Sequence, residues 1–132
     1  MKKNNEIDKI LVVDDDPFIC EIYKKVFDKE GIETEFLHSG IEMLEKLREK
    51  KDDCKVILLD IFMPDMDGFE ALEEAHKEDL INETFVIMLS NQADQVAKKK
   101  AEKLGAKKFI VKSSLLPEDI TKEVIKACKE NL

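Results

Sequence analysis

Two kinds of segment alternate along the chain: short, dense apolar runs, and longer stretches in which apolar residues recur every three or four positions. The dense runs are KILVV (9–13), ETEFL (33–37), KVILL (55–59), FVIML (85–89) and KFIV (108–111), each of strand length. The first, third and fourth are almost continuously apolar, as central strands of a parallel sheet covered on both faces must be, whereas ETEFL is mixed and reads as an edge. Between them, Ile19, Ile22, Tyr23, Val26 and Phe27 fall on one helical face, with Asp16 as N-cap, Pro17 as first helical residue and Gly31 past the end. A second helix presents Ile41, Leu44 and Leu47 after a break at Ser39 and Gly40, and a third presents Phe69, Leu72 and Ala75. The fourth offers Ala93, Val96, Ala97, Ala101 and Leu104 before Gly105, a thin alanine-rich face expected to hold loosely. The fifth opens near Pro117 and buries Ile120, Val124 and either Ala127 or Cys128. Five strands each followed by a helix predict a doubly wound α/β domain over 9–131, a five-stranded parallel sheet with helices on both faces, behind a loosely held tail at 1–8.

Length and composition narrow this picture. The chain has 132 residues, enough for one domain, and 43% are hydrophobic with only four glycines and three prolines, so it can build a core. The net charge is −8 and Arg48 is the only arginine, a balance that argues against nucleic acid. Cys20, Cys54 and Cys128 fit neither a disulfide framework nor a zinc ligand set and read as reduced packing residues. Neither a signal peptide nor an apolar stretch long enough for a bilayer is present, so the expected location is the cytoplasm, away from membranes. The lysine run 98–100 reads as a solvated helix face, and His38 and His76 as isolated surface residues. Met63 and Met66 are expected to line a turn.

The chemistry lies where the strands end, because the carboxyl ends of the strands in a doubly wound sheet share one crevice. The first ends in Asp14, Asp15 and Asp16, the third in Asp60, the fourth in Ser90 and the fifth in Lys112. Asp14, Asp15 and Asp60 brought together would repel one another and ask for a hard divalent cation. Oxygen ligands without His or Cys suit Mg²⁺, which retains waters and leaves room for a phosphate oxygen. A carboxylate flanked by a hydroxyl and an ammonium supplies the parts for accepting a phosphoryl group: nucleophile, hydrogen-bond donor and neutralising charge.

These residues resemble the receiver domain of two-component response regulators. The resemblance covers 9–131 and rests on LVVDDDP, LLDIFMPDMDG, IMLS and FIVK in that order and spacing. It implies strand order 2-1-3-4-5, Asp60 as phosphoacceptor, and a Mg²⁺ site made by Asp15, Asp60, the Phe62 backbone carbonyl and, through water, Asp14. It further implies that Ser90 binds a phosphoryl oxygen, that Lys112 pairs with the acyl phosphate, and that Phe109 is the aromatic that turns inward on activation. Pro64 and Gly68 match the turn after the acceptor strand, where glycine is expected for its backbone freedom. A histidine kinase or histidine phosphotransfer protein is the implied donor, and an unidentified protein target reads out the fourth helix, fifth strand and fifth helix. Because the chain ends with its fifth helix, it is expected to act as a stand-alone receiver through partners in trans.

Three positions depart from the family pattern. Lys112 is followed by Ser113 where proline, joined through a cis bond, is common; a cis bond here costs about 3 kcal/mol, so either a trans bond with a rearranged loop or a strained cis bond is expected. Asn91 is larger than the usual residue after the serine and narrows access to the phosphate. Phe62 cannot activate water, which predicts slow self-dephosphorylation. Three other readings are to be weighed. A haloacid-dehalogenase-type phosphatase would use Asp14 and Asp16 as its aspartate pair, but Phe18 stands where Thr or Val is expected and no acidic pair follows Lys112. A calcium loop at Asp65, Asp67, Gly68 and Glu74 would have Met63 as its first ligand. A degenerate receiver would bind partners without phosphate, although every acceptor-site residue type is present.

Overall fold

The computed structural model describes residues 9–49, 55–92 and 94–131; the expected tail at 1–8, Cys54 and Ala93 lie outside them. Every residue of β3 (Val56–Asp60) and β4 (Phe85–Ser90) is buried, and nearly all of β1 (Lys9–Val13), so these three form the middle of the sheet. The half-buried β2 (Glu33–Leu37) and β5 (Ala106–Val111) close its two edges. All neighbouring strands are parallel and the order is β2-β1-β3-β4-β5, as the family resemblance implies. Parallel strands need crossover connections, and a right-handed helix supplies each one.

Alternate residues of each strand feed opposite layers. Ile10, Val12, Leu58 and Ile87 pack with Tyr23 and Phe27 of α1 (Pro17–Lys29) and with Ile120 and Val124 of α5 (Pro117–Asn131). Leu11, Val13, Ile57, Leu59 and Met88 pack against α2 (Gly40–Glu49), α3 (Gly68–Lys77) and α4 (Gln95–Lys103). Each such side chain contributes about 1.5–3 kcal/mol by leaving water. Cys20 and Cys128 are buried free thiols, held protonated by burial at about 12 and about 11.

Two helices differ from their sequence reading. Ile41 of α2 is 47% exposed, and Met43, which the reading omitted, is buried beside Leu44 instead. The face of α2 is rotated because the helix begins at Gly40, whose backbone meets Met66 and Ala71 so closely that a Cβ would stand 3.0 Å from each. Val96 of α4 is 77% exposed, and among the described residues of this helix only Ala101 is buried. The anchoring of α4 is thinner than its alanine pattern predicted. The fifth strand also starts two residues earlier than the apolar run, at Ala106.

The edges carry charge. Glu35 of β2 accepts from Lys9 at 2.8 Å and Lys46 at 3.2 Å, which hold its carboxyl below the usual range. In β5, Ala106 and Lys108 pair with the consecutive residues Val86 and Ile87, so Lys107 is a bulge residue. Arg48 of α2 forks onto Glu78, just past α3, at 2.8 and 2.6 Å. Among the described residues, no helix is long and apolar enough to cross a membrane.

Candidate functional site

Because the strands run parallel, the residues that end them meet at one edge of the sheet. Asp14 directly follows β1, Asp60 ends β3, Ser90 ends β4 and Lys112 directly follows β5. Asp14, Asp60 and Ser90 are buried, while Asp15 points to solvent. Oxygens of Asp14, Asp15 and Asp60 all lie within 4.8 Å of one another. The Lys112 ammonium stands between two of them, 3.4 Å from Asp60 Oδ1 and 3.6 Å from Asp14 Oδ2.

The electrostatics follow from this crowding. Burial pushes the Asp60 carboxyl up to about 6, the Asp14 carboxylate adds to the rise, and Lys112 offsets part of it. Asp14 is also raised, chiefly by burial, against the pull of the Asp16 backbone N–H and of Lys112. That N–H donates to Asp14 Oδ1 at 2.9 Å, but Asp14 Oδ2 is buried without a hydrogen-bond partner. A buried carboxylate oxygen that accepts no hydrogen bond, has the Lys112 ammonium at 3.6 Å and faces two further carboxylates fits a hard, oxygen-seeking divalent cation. The donor set, oxygen only, suits Mg²⁺.

Local structure fixes each part. Asp16 caps α1, accepting from the N–H groups of Phe18 at 3.0 Å and Ile19 at 3.4 Å, which turns the chain sharply after Asp14 and Asp15. Its role as cap leaves the dehalogenase-type pairing with Asp14 without support. Gly68 donates its N–H to Ile61 O at 2.8 Å, and a Cβ there would strike the carbonyl oxygen of Asp60 and stand 2.8 Å from Ile61 Cα. Its φ is not positive; Asp65 is the residue of this loop that is, at 67°. The need for glycine at 68 is therefore close approach, not the backbone freedom the sequence suggested. Asp67 caps α3 in a reciprocal box with Glu70, at 2.8 and 3.1 Å, and so is engaged in a role other than calcium ligation.

The remaining expected residues are placed as follows. Ser90 Oγ donates to Gln92 O at 2.9 Å and accepts from Gln92 N at 3.1 Å. Phe109 is half-buried against the α2, α3 and α4 layer. Phe62 is 56% exposed on the loop beyond Asp60, Asn91 is exposed, and Met63 is buried in the core. All described peptide bonds are trans, including Lys112–Ser113, and a 3₁₀ turn at Lys112–Ser114 leads toward α5. Two neighbours of the site escaped the sequence reading. His38 is exposed as expected, yet its Nδ1 lies 3.1 Å from Asp14 O, and Cys20 Sγ lies 3.7 Å from the same oxygen. Neither has a linear signal, since both contacts arise only when β2 and α1 are docked.

A five-stranded doubly wound sheet of this order places the molecule among the flavodoxin-like α/β domains. Residues 10–125 match the family model "Response regulator receiver domain", and the chain belongs to that family. It is 36% identical over 105 residues to the chemotaxis protein CheY of Thermotoga maritima, covering 79% of this chain and 84% of that protein. It is 34% identical over 98 residues to a transcriptional regulatory protein, the CpxR homologue of Haemophilus influenzae, covering 74% of this chain but only 40% of that one. Of another relative, the two-component response regulator ARR11 of Arabidopsis thaliana, the chain spans 20%. A CheY-like receiver domain from Methanospirillum hungatei superposes with a TM-score of 0.79 at 31% identity, covering 95% of this chain and 96% of the other.

Proposed function

We propose that this chain is a phosphoacceptor switch: Asp60 takes a phosphoryl group from the phosphohistidine of a histidine kinase or phosphotransfer protein. The P–N bond breaks as a P–O bond forms to Asp60, and the imidazole, protonated on its other ring nitrogen, leaves with the bonding pair as the neutral base. The observation that carries this reading is the Lys112 ammonium bridging Asp60 and the buried Asp14 Oδ2, an oxygen that accepts no hydrogen bond. Asp15, Asp60, the Phe62 carbonyl and, through water, Asp14 would hold Mg²⁺, which when bound supplies charge neutralisation for the transferring oxygens.

The chain's own groups do the rest. Lys112 is already positioned to pair with an oxygen on the phosphorylated Asp60. Ser90 exchanges its bond to Gln92 O for one to a phosphoryl oxygen, which draws in the end of β4. Phe109, half-buried on the neighbouring strand, turns inward as β4 moves. The face made by α4, β5 and α5 then presents a changed surface to a protein target, in the cytoplasm. The chemistry is confined to the domain's own phosphorylation and dephosphorylation.

The deciding experiment is intact-mass analysis after incubation with Mg²⁺ and acetyl phosphate, wild type beside Asp60→Asn. One added phosphoryl group on wild type alone is the expected result. If neither gains mass while Mg²⁺ binding is confirmed, the phosphate-independent receiver replaces this reading, unless Asn91→Ala restores the gain and so locates the block at the entrance.

A further inference from the structure

The layer of helices α2, α3 and α4 on one side of the sheet is divided by charge. Between α2 and α3 lies a groove of about 440 Å³ lined by Ile41, Leu44 and Met66 together with Glu45, Glu70 and Glu73; the one cation in its lining, Arg48, is engaged with Glu78. Across α3, α4 carries four lysines against one glutamate. Val96, Lys99, Lys100 and Lys103 follow one another at helical spacing along a single exposed stripe of α4. This stripe flanks α3, as the Lys100 ammonium 4.8 Å from the centroid of the Phe69 ring shows. A groove with apolar and mainly acidic lining thus lies beside an exposed basic ridge led by an exposed valine, with α3 between them.

We infer that this face is self-complementary and docks a second copy of the same chain about a two-fold axis near α3. The α4 ridge of one copy lies over the α2–α3 groove of the other, and the same contact repeats on the opposite side of the axis. Val96 seats against Ile41 and Met66, removing from water three apolar side chains that the monomer leaves at least partly exposed. Lys99 and Lys103 face Glu45 and Glu73. Because donor and acceptor surfaces lie on one face, the contact closes as a pair and does not propagate as a fibre. Opposite charge at the rim sets register and makes the pairing salt-sensitive.

Sedimentation of the full chain up to about 1 mM at low ionic strength tests this. The expected result is reversible doubling of mass, lost in about 1 M salt, where the screening length is about 3 Å. Lys99→Glu with Lys103→Glu, and separately Glu45→Lys with Glu73→Lys, should each be monomeric at concentrations where wild type pairs. Glu70 is left unchanged because it completes the α3 cap. Mixing the two charge-reversed proteins should restore the doubled mass, since both contacts across the axis are then again of opposite sign. A misfolded variant cannot give that recovery. A monomer at every concentration, a dimer indifferent to either reversal, or masses beyond two copies would each overturn the inference.

Discussion

Asp60 is a carboxyl group buried against a second carboxyl group, and its rise from 3.8 to about 6 is a statement about stability as well as reactivity. Below about pH 4 it is protonated in folded and unfolded chains alike, so it contributes no penalty. As pH rises through about 4 to 6, the unfolded chain releases its proton more readily than the folded one, and stability falls. Above that window the metal-free protein carries the full cost, about 3 kcal/mol for a shift of about two units. Asp60→Asn should therefore stabilise the metal-free protein at neutral pH by up to about 3 kcal/mol and flatten the acid-side slope, read by urea denaturation in chelator. Mg²⁺ should raise the midpoint of wild type more than that of the variant. A variant less stable than wild type at neutral pH would show that the crowding is relieved in some other way. Phe62 gives a second test. Its exposed ring lies two residues beyond Asp60, the proposed acceptor, and offers no group to orient water, so Phe62→Asn should shorten the phosphate lifetime severalfold, followed by mass spectrometry. An unchanged lifetime removes Phe62 from the account of slow hydrolysis. At this scale, Asp14, Asp60, Ser90 and Lys112 were legible because each interrupts or ends an apolar run. The steric demand at Gly68, the Asp14 oxygen left without a hydrogen bond and the approach of His38 were not, because each depends on segments distant in sequence.

Among the elements, the strands were readable and two helix faces were not. A strand buried on both sides leaves no choice of face, which is why VILLD and FVIMLS lie close to where their composition put them. A helix must choose, and in α2 and α4 an apolar residue on the expected stripe, Ile41 or Val96, is exposed. Leu58→Ala, in the middle of β3, should cost about 2–5 kcal/mol, whereas Val96→Ala should change stability by under about 0.5 kcal/mol. A large loss from Val96→Ala would place that side chain inside the monomer core. The anchoring of α1 by Tyr23 and Phe27 against that of α4 by Ala101 also predicts an order of opening: amides of α4 exchange with solvent well before those of α1. Equal protection of the two helices would remove the basis for treating α4 as the mobile element.

For the molecule as a whole, the loosest helix and the half-buried Phe109 both adjoin the strand that ends in Ser90. A switch between two states needs a differential interaction of about 5.5 kcal/mol to go from 1:99 to 99:1, and on the proposed function phosphorylation of Asp60 delivers that through β4. Phosphorylation should therefore shift amide resonances across α4 and β5, with α1 changing only near its cap, and Asp60→Asn should show none of this. Shifts confined to the loops around Asp60 would mean that charge is added without a change of state.

The sheet's outer edges bear on a different hazard. An exposed parallel edge offers unpaired backbone groups to any passing extended chain, and a synthesis-fresh or partly opened receiver is surrounded by such chains. Here β2 presents Glu33 and Glu35 along its rim, while β5 breaks its ladder at the bulged Lys107, which two further charged or bulky positions, Lys108 and Phe109, directly follow. Lysine at a kinked edge is a gatekeeper: adding a strand there requires burying an ammonium against a backbone that has turned away. The same residue that interrupts the regular pairing of β4 with β5 thereby guards the chain against amyloid-like growth from that side.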